Sequence, residues 1–87
     1  MSFKTVAQPA VERAYTREIW DVRERAAEAL AAIGPVKLGV VARFRANRWC
    51  EASTADYEHD QHLSDIYWVR AVEWWRIATA LPAPEQS

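Results

Sequence analysis

Eighty-seven residues, 51% of them apolar, with a net charge of −1 describe one small domain with a thin core, since a chain of this size buries only about 60 to 65% of its unfolded surface. That composition excludes a disordered chain. The near-neutral charge gives no global drive toward nucleic acid or an anionic membrane.

Cys50 is the only cysteine, so an intrachain disulfide is excluded and a reducing compartment fits. The opening MSFKTVAQPAVER lacks the apolar centre of a signal peptide, and no apolar run reaches the ~18 residues of a membrane span. A cytoplasmic location is the expectation. Nine arginines against two lysines, with abundant alanine, match the usage of GC-rich bacterial genomes.

Residues 1–8 read as a loose leader, and Pro9 stands where a first-turn proline is tolerated because its missing N–H would be unpaired anyway. From there Val11, Tyr15, Ile19, Val22, Ala26, Leu30 and Ile33 recur at three- and four-residue steps, the mark of a helix with one apolar stripe. Arg17, Asp21 and Arg25 pair at i,i+4 on its outer side, a solvated face. Trp20 projects nearly opposite the stripe, so it lies over neighbouring arginine stems or contacts a partner. Gly34 supplies the left-handed residue that ends many helices, and Pro35 marks a firm boundary.

The stretch 36–52, VKLGVVARFRANRWCEA, fits two periods. With period two, Val36, Leu38, Val40, Ala42, Phe44 and Ala46 share a strand face; with helical spacing, Leu38, Val41, Ala42, Trp49 and Ala52 share a side. A lone strand has no partner elsewhere in this chain, and alanine and arginine favour helix, so a shorter middle helix is the preferred reading. Ser53 and Asp56 have capping-box spacing, which predicts one helix from Thr54 to Leu81, ended by Pro82 and Pro84, with 82–87 as a loose tail. In its most aromatic part, IYWVRAVEWWRIATAL, Tyr67, Ala71, Trp74, Ala78 and Leu81 form one flank, with Ser64, Trp68 and Trp75 beside them. Apolar residues occupy almost every bearing, as on a helix packed between neighbours.

Three constellations could carry chemistry. His59 and His62, weak metal candidates, sit at i,i+3 within D-x-x-H-x-x-H-x-x-D, which is half of a zinc set. Cys50 with a histidine could form a nucleophile and base, but the chain has no visible oxyanion donor, and the expectation is no enzyme, no cofactor and no metal. Lys37, Arg43, Arg45 and Arg48, interleaved with Phe44 and Trp49, have the arginine–aromatic chemistry that grips phosphates and stacks on bases. Ile33, Gly34 and Val40 resemble the apolar, turn-glycine and apolar places of a helix-turn-helix, from which Leu30, Pro35 and Gly39 depart. Acidic residues from Glu51 to Asp65 follow, and they offer internal neutralisation of the basic run.

The expected architecture is a single all-α domain, an antiparallel hairpin of two long helices with a shorter middle helix, completed as a bundle by a homodimer. The expected function is a non-enzymatic adaptor, regulator or inhibitor that docks a protein partner through Trp20, Trp49, Trp68, Trp75, Arg45 and Arg48. The alternative is a dimeric nucleic-acid binder using Lys37, Arg43, Arg45 and Arg48.

Overall fold

The computed structural model describes residues 15–82, which are helical almost throughout and contain no strand. Two elements follow in order, α1 (Thr16–Asp56) and α2 (Gln61–Thr79). The expected start of the first helix at Pro9, the leader 1–8 and the tail 83–87 lie outside the described residues.

At Gly34 the backbone of α1 leaves helical geometry, with φ 84° and ψ 168°, a conformation open essentially to glycine alone. The expected boundary therefore stands as a sharp break within α1, between a first arm (16–33) and a second arm (35–56). Pro35 falls in the first turn of the second arm, where its missing N–H costs nothing. The middle segment is thus not a short separate element: its arm is longer than α2, because helical packing continues past Ser53.

In the second arm Leu38, Ala42, Ala46 and Ser53 are buried while Val36, Val40 and Phe44 are exposed. Alternate members of the period-two face have opposite fates, so the helical period decides the segment. Val22 and Ala26 from the first arm, Leu38, Ala42 and Ala46 from the second, and Trp74 and Ala78 from α2 form one core, flanked by Ala29, Trp49, Ile77 and Leu81. Four of the seven buried members are alanines, so the backbones approach closely and the 2%-exposed Trp74 supplies much of the volume.

The seam between the second arm and α2 is pinned at both ends. At one end Gly39 lies against the backbone of Pro82 and the side chain of Leu81. At the other, Ser53 Oγ donates to the Ser64 carbonyl at 2.9 Å and Ser64 Oγ donates to the Ser53 carbonyl at 2.7 Å. The two segments therefore run antiparallel.

This clasp displaces the expected capping box. Ser53 belongs to the buried stripe, so α1 runs on to Asp56 and the chain turns at 57–60, where His59 and Asp60 donate their N–H groups to the Asp56 carbonyl at 3.1 and 2.9 Å. Asp60 caps α2 instead, its Oδ1 accepting from the Leu63 N–H at 3.1 Å, the usual role of an N-cap aspartate. The single helix expected from Thr54 is corrected to one that begins at Gln61.

The polar flank of α2 faces the first arm. Arg70 donates from Nε to Glu18 at 2.9 Å, and Glu73, 6% exposed at its side chain, accepts from Arg23 Nε at 2.8 Å. Arg70 also lies over the Trp49 ring, 4.7 Å from its centroid. One guanidinium thereby ties α2 to both arms of α1.

Candidate interaction groove

The five tryptophans fall into four environments. Trp74 is core. Trp49 is half-buried and stacks against Tyr67 with centroids 5.1 Å apart, which places it inside the packing of the second arm on α2. Trp20 is 55% exposed under the Arg23 guanidinium, as in one of the two readings of its position, and stands on the first arm. Trp68 and Trp75 remain 53% and 48% exposed.

Trp68 and Trp75 line the same groove, opened between the second arm and α2. Its walls are Ala46, Asn47 and Cys50 on one side and Trp68, Ala71, Val72, Trp75 and Arg76 on the other, around a volume of about 480 Å³. The local cause is helical spacing. Trp68, Val72 and Trp75 step by four and three, so they share a strip of α2 adjacent to, but outside, the buried strip of Ser64, Ala71, Trp74 and Ala78. The first arm packs elsewhere, through Glu18 and Arg23 to the Arg70 and Glu73 flank. Nothing in the described chain lies over Trp68 and Trp75, and large exposed apolar patches of this kind mark interaction sites.

The basic run is dispersed. At about 100° per residue, Lys37, Arg43, Arg45 and Arg48 spread over more than half of the helix circumference. Arg45 lies over the Trp74 ring at 5.1 Å and Arg48 over Phe44 at 5.7 Å. Arg45 also lines a separate cleft with Arg25 and Glu28. Ile33 and Val40, the apolar places of the helix-turn-helix resemblance, are both exposed.

The histidine run is divided by the helix break. Asp56 ends α1, His59 lies in the turn, and His62 and Asp65 belong to α2. His62 Nδ1 instead contacts the Tyr15 hydroxyl at 3.5 Å, with the two rings tilted 5.9 Å apart. Burial, and second the nearby Asp65 carboxylate, push the Tyr15 phenol above its ordinary value of 10.0. Among the described residues no three His, Cys, Asp or Glu side chains cluster as a metal site, and no helix is long and apolar enough to cross a membrane.

Sequence reasoning placed Trp74 on one flank and singled out Trp68 and Trp75 beside it, but it missed Asn47, Cys50 and Val72 as their neighbours in one groove. The four- and three-residue steps of Trp68, Val72 and Trp75 were the available signal. Comparison of the chain with protein-family models, curated proteins and solved structures gives no match, so the functional reading rests on this geometry.

Proposed function

We propose that the protein is a small non-enzymatic interaction module, an adaptor, regulator or inhibitor, that docks a protein partner in the groove between the second arm of α1 and α2. The observation that carries this reading is the pair of half-exposed tryptophans on one apolar groove. Covering the exposed half of a tryptophan removes on the order of 100 Å² from water, which contributes about 2–3 kcal/mol per ring at ~25 cal/mol/Å². Two rings at the centre of a contact supply the anchors of a hot spot, and Arg76 supplies a polar rim. An apolar helix face fits such a groove, laid between two helices as a further member of a bundle. A homodimer would satisfy the same chemistry.

The test is affinity capture by the wild-type chain and by a Trp68→Ala/Trp75→Ala variant, with captured proteins identified and circular dichroism confirming equal helicity. Loss of a bound protein, or of self-association, in the variant supports the reading. Association untouched by the variant, or salt-sensitive binding of duplex or single-stranded oligonucleotides that Arg43→Ala/Arg45→Ala/Arg48→Ala abolishes, refutes it.

A further inference from the structure

We infer that the occupant of the groove is a second copy of this chain, placed groove to groove about a two-fold axis that passes near Asn47 and Val72, an inference that rests on the docking reading above. The argument begins with how charge is distributed along the groove. Ser53 and Ser64 hold one end and Gly39 and Leu81 the other, so levels along the second arm and α2 can be matched. On the groove side of the second arm, Arg43 precedes Asn47 by four residues and Glu51 follows it by four. On α2, Asp65 lies toward the Ser53–Ser64 end and Arg76 toward the Gly34 end. The groove is basic at one end, acidic at the other and apolar between.

Such a surface is self-complementary only in antiparallel register. A two-fold axis at the level of Asn47 and Val72 sets Arg43 level with Glu51 of the other copy, and places Arg76 on the same end as its Asp65, about 4–5 Å apart along the axis at 1.5 Å per residue, a gap the long arginine side chain spans. The same rotation sets Trp68 of one copy level with Trp75 of the other, since the axis falls midway between them. An isologous contact demands this reciprocity. Among the described residues Arg43, Glu51 and Asp65 form no ion pair within the chain, and Arg76 reaches only Glu73, at 3.6 Å. These groups are therefore available to a partner.

The test uses the full chain and light scattering behind a sizing column. Wild type is expected as a dimer. Arg43→Glu/Arg76→Glu and Glu51→Arg/Asp65→Arg each place like charges across the axis, and each is expected to weaken self-association about 100-fold. An equimolar mixture of the two is expected to restore a heterodimer, because every cross-axis pair is then opposite in sign. Glu51, Asp65 and Arg76 are exposed and Arg43 half-buried, and circular dichroism verifies the fold of each variant. Independently, Asn47→Cys in a Cys50→Ser background is expected to form a disulfide-linked dimer under mild oxidation, whereas Arg17→Cys in the same background does not.

A monomeric wild type, or a dimer indifferent to the charge variants, overturns the second copy as occupant. A monomer that still captures another protein through Trp68 and Trp75 leaves the docking reading standing. A monomer whose Trp68 and Trp75 fluorescence becomes that of exposed indole on deletion of residues 1–14 assigns the groove to that segment and overturns the inference. A dimer that survives both the charge variants and Trp68→Ala/Trp75→Ala refutes both readings.

Discussion

Alanine in place of Gly34 and alanine in place of Gly39 are expected to move stability in opposite directions, although the two positions are close in sequence. At Gly34 a Cβ would meet nothing within 4 Å, so sterics with the rest of the fold contribute nothing and the cost is the backbone's own. With φ 84° and ψ 168°, a non-glycine residue costs about 1–3 kcal/mol, offset by the ~0.4–1 kcal/mol that alanine gains through a less flexible unfolded chain. Gly34→Ala is therefore expected to destabilise by about 1–2 kcal/mol. Gly39 is helical and buried, and its added Cβ would stand 3.4 Å from the Pro82 carbonyl oxygen and 3.6 Å from Leu81 Cβ, ordinary contact distances. Here alanine recovers the helix propensity that glycine forfeits, about 0.5–1 kcal/mol. Urea unfolding followed by circular dichroism at one fixed protein concentration, since association would add to apparent stability, measures both. In a thermal melt each kcal/mol corresponds to roughly 4–8 °C. A Gly34→Ala protein as stable as wild type would refute the glycine-only break between the arms. A Gly39→Ala protein that loses 1 kcal/mol or more, on the order of a strained contact, would mean that the end of α2 packs closer than described.

Ser53→Ala and Ser64→Ala are each expected to cost about 1 kcal/mol, and the double variant less than their sum, because the two hydroxyls serve one clasp; a double-mutant cycle by urea unfolding measures the coupling. Glu73→Ala removes a carboxylate shielded from water and should cost about 1–3 kcal/mol, whereas Arg23→Leu, at a position 47% exposed at its side chain, should cost less because Arg76 remains beside Glu73. The same unfolding assay ranks the two. Tyr15 should ionise above the ordinary phenol value of 10.0 in an ultraviolet titration, with Tyr15→Phe identifying its component and Asp65→Asn bringing it earlier. Because its folded pKa is raised, its contribution to stability is fully present below about pH 10 and is lost as the pH rises through the folded value.

Much of the helical framework was written in local sequence. The three- and four-residue spacing through Val22 and Ala26 names the buried stripe of the first arm, Gly34 and Pro35 mark the break, and Trp74 and Ala78 lie on the predicted core flank of α2. These features depend on a residue's own turn of helix, where steric limits on φ and ψ and a fixed angular step act without any neighbour.

Tertiary structure decided the rest. The middle segment carried two apolar periods at once, and only packing against α2 buried Leu38, Ala42 and Ala46 while leaving Val36, Val40 and Phe44 in water. Ser53 matched a cap signal, yet meeting Ser64 made it part of a seam and moved the helix start to the Asp60 cap. Arg70 and Glu73, away from the aromatic flank of α2, bind the first arm, a pairing that local spacing does not specify. Trp68 and Trp75 lie beside the flank of Trp74 in the sequence pattern, but only the fold made Trp74 core and set the other two against Asn47 and Cys50 as groove walls. Periodicity sets where a side chain points on its own helix, whereas burial depends on whether another helix occupies that direction, and that is settled only when the chain folds back on itself.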